Sequence, residues 1–145
     1  MVAVFEFCAE VGEILLENQT AEKRVAERLG NQVRELSIKE STDGTLYLGG
    51  WVEDQATFEK LLLIVGNLEG ISRVNTDALT VSRFGPSSEF YTVKGGDTLS
   101  AIAHRFYNST IKFGMLLEAN LEVIQDPDLI FPGQVIRIPS EYEIY

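Results

Sequence analysis

The segment Phe90–Pro139 constrains the fold of this chain most strongly. It opens with aromatic and β-branched residues over Phe90–Val93, which favour a β-strand. Gly95 and Gly96 follow at once, and paired glycines favour a tight turn. The segment therefore begins as a short strand that ends abruptly in a turn.

Two short helices are predicted after this turn. Asp97 and Thr98 are preferred helix N-cap residues, and the apolar residues behind them recur at helical spacing. These apolar residues are Leu99, Ile102, Ala103 and Phe106 in the first helix, and Phe113, Leu116, Leu117 and Ala119 in the second.

The end of the segment predicts a second strand. Pro132 and Gly133 suit a tight turn, and Val135–Ile138 is a β-branched run that Pro139 terminates. The predicted order is strand, helix, helix, strand.

The motifs YTVKGGDTLSAIA, EAN and IFPGQVIRIP occur in this order and together resemble a LysM domain. Such modules commonly bind N-acetylglucosamine polymers, including peptidoglycan, between the loop after the first strand and the loop before the last. The resemblance therefore implies a glycan-binding groove. Its residues in this chain would be Gly96, Asp97, Thr98, Leu99, Asn120, Ile130, Phe131 and Pro132.

The preceding chain predicts an α+β layer, with a three-stranded sheet covered by helices on one face. The predicted elements are a helix over Ala21–Leu29, a strand around Leu36 and Ile38, a strand over Thr45–Val52, a helix from Asp54 to Val65, and a strand from Ile71 to Val81. With its Gly49–Gly50 pair and its link from Val65 to Ile71, the segment Ala21–Val81 resembles a BON domain.

An extra amphipathic helix is predicted in front, over Val2–Leu16, because its apolar residues recur at helical spacing with glutamates between them. Ser82–Glu89 holds Gly85 and Pro86 and is a short polar connector. The predicted organisation is the N-terminal helix and the BON domain over 1–81, a linker over 82–89, the LysM domain over 90–139, and a C-terminal tail over 140–145.

Charge and hydropathy exclude several classes of partner. The chain has 22 acidic and 12 basic residues, a formal charge of −10, which argues against binding nucleic acid or an anionic membrane. Its apolar runs are too short to cross a bilayer, and its start lacks the basic region of a signal peptide. We expect a cytoplasmic monomer.

Residues for catalysis or zinc binding are scarce. The chain has one cysteine, Cys8, and one histidine, His104, so a zinc cluster is not expected. His104 has no nucleophile motif near it in the sequence, and no phosphate-binding loop occurs. We therefore expect a binding protein and not an enzyme.

Over nearly its whole length, the chain resembles the bacterial potassium-binding proteins that join a BON domain to a LysM domain. The resemblance implies that K⁺ orders the contact between the two domains. The implied ligands are backbone carbonyls of Cys8, Val11, Gly66, Leu68 and Ile71.

The physical chemistry of the Gly66–Gly70 stretch agrees with this implication, because a helix end exposes unpaired carbonyls and glycine permits close approach. The same stretch is also explained as a simple helix cap and turn. Three functions remain open: a potassium sensor, a glycan-binding module, and an adaptor that only contacts other proteins.

Overall fold

The computed structural model describes residues 4–10, 20–124 and 126–140, and it contains both helices and strands. The helices are α1 (Ala21–Leu29), α2 (Gln55–Gly66), α3 (Leu99–Tyr107) and α4 (Phe113–Glu118), with 3₁₀ turns at Gly30–Gln32 and Thr110–Lys112. The strands are β1 (Val4–Glu6), β2 (Val33–Glu40), β3 (Thr45–Asp54), β4 (Arg73–Arg83), β5 (Glu89–Thr92) and β6 (Val135–Ile138). The predicted α+β class is confirmed.

The first part of the chain forms a four-stranded sheet in the order β1-β4-β3-β2, so the prediction of three strands is wrong because β1 adds a fourth at the edge of β4. The predicted succession of helix, strand, strand, helix and strand is confirmed for α1, β2, β3, α2 and β4. Local signals explain the helix starts: the Thr20 hydroxyl accepts a hydrogen bond from the Lys23 N–H at 3.1 Å, and the Asp54 carboxylate accepts one from the Thr57 N–H at 2.9 Å.

The topology of the sheet places the N-terminal strand beside the turn that follows α2. Strands β3 and β4 are parallel and are joined by α2, so α2 ends close to the start of β4. Strand β1 runs antiparallel to β4, with Glu6 opposite Arg73. The chain after Glu6 therefore passes the turn over residues 67–72.

The helix predicted over Val2–Leu16 is wrong for Val4–Glu6, which is strand β1. Phe5 and Phe7 are both partly buried, whereas Val4 and Glu6 are exposed, so the period along this stretch is two. The backbone N–H and C=O groups along the edge of β4 pair with a strand, whereas a helix would leave them unpaired. Residues 2–3 and 11–16 of the predicted helix lie outside the described residues.

The segment that resembles LysM has the predicted order of elements, β5, α3, α4 and β6. Strands β5 and β6 pair antiparallel, with Glu89 opposite Ile138. The Thr98 hydroxyl accepts a hydrogen bond from the Ala101 N–H at 3.1 Å and caps α3, and Asn108 ends α3 with a positive φ of 57°.

The core is made largely by α2 and the strand faces against which it packs. Leu61, Leu62 and Val65 of α2 are completely buried, as are Val52 and Val74 of the sheet. Strand β4 ends at Arg83 and β5 begins at Glu89, so the predicted connector has no helix or strand over residues 84–88. The proposed domain boundaries stay a prediction.

None of the helices in the described ranges 4–10, 20–124 and 126–140 combines the length and the apolar composition required to cross a membrane.

Candidate functional site

The turn that follows α2 leaves the carbonyl of Gly66 without its helical hydrogen bond. In a continued helix the N–H of Gly70 would donate to Gly66, but it donates to the carbonyl of Ala9 at 3.0 Å. The N–H of Leu68 donates to Val65 and that of Ile71 donates to Leu68, each at 3.3 Å. Several carbonyls therefore gather at the negative end of the helix dipole.

Residues 7–9 are held against this turn by backbone and side-chain contacts. The N–H of Phe7 donates to the carbonyl of Ser72 at 2.8 Å, and the Ala9 carbonyl accepts from Gly70. The Phe7 ring lies over Gly66 so closely that a Cβ on Gly66 would be 2.2 Å from its Cζ. A side chain at position 66 would therefore displace the Phe7 ring, although the φ of Gly66 itself lies outside the left-handed region.

The structure brings together four of the five predicted carbonyl donors. Cys8 lies between Phe7 and Ala9, after strand β1 and not on a helix, and its side chain is partly buried. Gly66, Leu68 and Ile71 are buried in the adjoining turn. Val11 lies outside the described residues.

Asn67, which the sequence analysis did not single out, joins this turn to strand β6. Its side-chain amide donates to the carbonyl of Val135 at 2.7 Å and accepts from the N–H of Val135 at 2.8 Å. Asn67 is buried, so both bonds are shielded from water. The only sequence signal for this contact was an amide side chain at the helix end, between two of the predicted donors.

A second polar contact joins α2 to β6. The Glu59 carboxylate accepts from the Arg137 guanidinium at 3.0 Å, and both residues are buried. The same carboxylate accepts from the hydroxyl and the N–H of Ser88, at 2.6 and 2.8 Å, and from the Gln55 amide at 3.1 Å. Together with Asn67, this network fixes the LysM segment against α2.

The predicted glycan-binding residues are split between the surface and the interior. Asn120 and Leu99 are buried, and the Asn120 amide pairs with the backbone N–H and carbonyl of Arg137 at 2.9 Å each. The other six are exposed or partly exposed. They are Gly96, Asp97, Thr98, Ile130, Phe131 and Pro132.

Asp97, in one of the two predicted groove loops, has a lowered pKa. Hydrogen bonds from the Tyr91 hydroxyl and the Lys94 N–H, with the charge of Arg105 nearby, lower the pKa of this carboxyl. Burial and the hydrogen bond with Asp97 raise the pKa of Tyr91. The Arg105 guanidinium donates to the Tyr91 hydroxyl at 2.9 Å and lies over its ring. These contacts join the loop to strand β5 and to helix α3.

We expect Asp97→Asn to destabilise the protein by about 1 kcal/mol at neutral pH and less in acid. The pKa of Asp97 is lower in the folded chain than its ordinary value of 3.8. The ionised carboxylate therefore contributes to stability above pH 3.8, and this contribution is lost as the pH falls through the pKa of the folded state. Urea unfolding near pH 7 and near pH 3 measures this difference. Tyr91→Phe, which removes the first cause of the shift, should reduce the acid dependence too. An equal loss of stability from Asp97→Asn at the two pH values would contradict the hydrogen bonds assigned to Asp97.

No group of three or more His, Cys, Asp and Glu side chains suited to a metal ion occurs in the part of the chain that the structure describes.

The chain is similar to known proteins both over one domain and over nearly its whole length. The LysM domain family matches residues 91–139. The potassium binding protein Kbp of Escherichia coli O6:H1 is 35% identical over 151 residues, covering 97% of this chain and 100% of that protein. An uncharacterized protein of Deinococcus radiodurans is 30% identical over 106 residues, covering 66% of this chain and 41% of its own length. These matches confirm the resemblance seen in the sequence: the chain contains a LysM domain and belongs to the family of the potassium binding protein Kbp.

Proposed function

We propose that this protein is a non-catalytic potassium sensor of the cytoplasm. Family membership supports ion binding, since the Escherichia coli relative is named for potassium. The single observation that carries the proposal is the hydrogen bond from the Gly70 N–H to the Ala9 carbonyl, 3.0 Å long. This bond aligns an N-terminal segment with the carbonyl-rich end of α2. It also leaves the Gly66 carbonyl without the donor that a continued helix would supply.

The proposed ligands are the backbone carbonyls of Cys8, Val11, Gly66, Leu68 and Ile71. Neutral carbonyl oxygens can replace the hydration shell of K⁺, whereas Mg²⁺ and Ca²⁺ sites normally include carboxylates. Each carbonyl has two lone pairs, so the Leu68 carbonyl that accepts from Ile71 keeps one for an ion. The dipole of α2 adds negative potential at this end.

The proposed sensing step is a closure of the N-terminal segment on the turn, transmitted to the LysM domain. An ion between residues 8–11 and the turn over residues 66–71 holds both segments in one arrangement. Asn67 lies inside that turn and bonds to Val135 of β6. Ion binding that orders the turn therefore favours the docked position of the LysM domain, which is a population shift between two states.

We expect K⁺ to raise the unfolding temperature selectively. Binding stabilises the folded state by RT ln(1 + [L]/Kd), about 2.7 kcal/mol at a hundredfold excess over Kd, so the midpoint should rise by on the order of 10 °C. The measurement is the thermal midpoint in KCl, NaCl and tetramethylammonium chloride at matched ionic strength, with the radius of gyration from small-angle scattering.

The Na⁺ and tetramethylammonium controls separate K⁺ binding from charge screening. Since the protein carries a formal charge of −10, any salt will reduce its self-repulsion to some degree. A rise in midpoint and a smaller radius in K⁺ alone support the site. An equal response to all three cations would mean that charge screening explains the effect, and the ion proposal would be abandoned.

We propose glycan binding as a second function, because the LysM domain family matches residues 91–139. The exposed predicted residues supply the surface: Gly96 and Thr98 in one loop, Pro132 in the other, with Phe131 partly exposed beside it. Asn120 and Leu99 would support the loops from inside. Sedimentation with insoluble peptidoglycan or chitin tests it, and a protein that stays in the supernatant with both polymers does not bind through this groove.

A further inference from the structure

A cavity of about 500 Å³ lies at the opposite end of α2 from the proposed ion site. Its apolar walls come from separate parts of the chain, namely β1, α2, β4, the connector and β5. The apolar lining residues are Phe5, Phe58, Leu79, Val81, Phe84 and Phe90. A volume of this size is typical of pockets that bind small organic molecules.

Aromatic contacts define the shape of this cavity. The Phe5 ring lies 5.9 Å from the Phe58 ring and 5.6 Å from the Phe90 ring, between centroids. These contacts join β1 to both α2 and β5, so the wall is built from packed rings. Phe84, on the connector, is 63% exposed and forms part of the rim.

The charged group at the polar end of the cavity is compensated by its neighbours. Glu59 is the only ionisable residue that lines it among the residues the structure describes. Its carboxylate is paired with the Arg137 guanidinium and accepts further hydrogen bonds from Ser88 and Gln55. A charged ligand would therefore lose its hydration without gaining an opposite charge, which is costly.

We propose that this cavity binds a small uncharged organic molecule with a mostly apolar body and a hydroxyl or amide head group. The body contacts the phenylalanine walls, and the head group lies at the end lined by Gln55 and Ser87. This cavity is separate from the proposed ion site, because Glu59 and Gly66 are seven residues apart on α2, about 10 Å along the helix axis. The ligand would also join the sheet to the connector and β5.

The test uses the full chain and the neutral fluorescent probe N-phenyl-1-naphthylamine. We expect saturable binding, and displacement of the probe by decan-1-ol at about tenfold lower concentration than by decanoate or decylammonium. The alcohol is used below its solubility limit and the two ions below their micelle thresholds. These competitors share one apolar chain and differ in the charge of the head group. Absence of saturable binding, or equal displacement by the charged competitors, would overturn the proposal.

A pair of variants on β4 tests the location. Val81 lines the cavity, whereas its neighbour Thr80 is exposed on the other face of the strand. Val81→Trp should weaken probe binding by about tenfold or more through filling the cavity, and Thr80→Trp should leave it unchanged. Circular dichroism confirms folding, and Leu79→Phe replaces Val81→Trp if that variant does not fold. Unchanged probe binding in the folded cavity-filling variant would place the probe elsewhere and overturn the proposal.

Discussion

Replacing Arg137 with methionine should lower the free energy of unfolding by about 3–5 kcal/mol, the largest effect we expect from a single substitution. The Arg137 side chain is 6% exposed and the Glu59 side chain is 2% exposed, with 3.0 Å between the guanidinium nitrogen and the carboxylate oxygen. Methionine removes the cation, and the described donors that remain to the buried carboxylate, from Ser88 and Gln55, are neutral. The lost bond from the Arg137 Nε to the Ala119 carbonyl adds to the cost.

Urea unfolding at neutral pH measures this loss, and a surface ion pair supplies the matched control. Arg83 is paired with Glu53 at 3.2 Å, but the Arg83 side chain is 69% exposed. We expect Arg83→Met to cost less than about 1 kcal/mol, because water screens an exposed pair. Equal small losses in both variants would show that Glu59 and Arg137 are hydrated in solution and that the LysM domain does not dock on α2 as described.

A double substitution separates the charge from the packing. Glu59→Leu combined with Arg137→Met replaces the ion pair with apolar side chains, which in buried pairs is often neutral or stabilising. The double variant should therefore be more stable than Arg137→Met alone. Its loss of stability should be smaller than the sum of the losses from Glu59→Leu and Arg137→Met, by a coupling energy of about 1–3 kcal/mol. If the two single losses simply add, the residues do not interact and the assigned contact is wrong.

The parts of the fold that the sequence predicted well are those with local signals. Strand β6 was predicted over Val135–Ile138 because Pro139 stops it, and the structure has the same bounds. Thr98 was predicted as a capping residue and caps α3, and the helix predicted from Asp54 begins directly after Asp54, which caps α2. In these cases the deciding contacts lie within about four residues along the chain.

The N-terminal segment was predicted wrongly because its deciding contact is distant. Phe5 fits the apolar side of a helix as well as that of a strand, so local pattern alone gives either. In the structure, Phe5 is paired with Val74 on the neighbouring strand and packs on Phe58 and Phe90. None of these partners is visible from the residues around Phe5.

The candidate site also has one part with a local sequence signal and one part without. The glycine-rich turn at the end of α2 was visible in the sequence, because Gly66 and Gly70 follow a helical pattern. The contact of Asn67 with Val135, which is 68 residues away, has no local signal. The link between the turn and the LysM domain therefore required the structure, although the turn itself did not.

We expect Gly66→Ala to lower the free energy of unfolding by about 1–3 kcal/mol and to reduce the proposed stabilisation by K⁺. A Cβ at this position would lie 2.2–2.4 Å from three atoms of the Phe7 ring, so the ring must move. Phe7 anchors residues 8 and 9 through its N–H bond to Ser72. Moving Phe7 therefore separates the N-terminal carbonyls from those of the turn.

Gly114, also within a helix, is the matched control for Gly66→Ala. A Cβ on Gly114 meets nothing within 4 Å in the part of the chain that the structure describes, so Gly114→Ala should be neutral or stabilising by up to about 1 kcal/mol. The measurement is the K⁺-dependent shift in thermal midpoint for both variants, which separates ion affinity from stability in Na⁺. Phe7→Leu in the Gly66→Ala background should restore part of both losses, because the smaller side chain gives way to the new methyl group. A Gly66→Ala protein with an unchanged K⁺ response would contradict an ion site at this turn, since the two segments would no longer share the geometry that the carbonyls require.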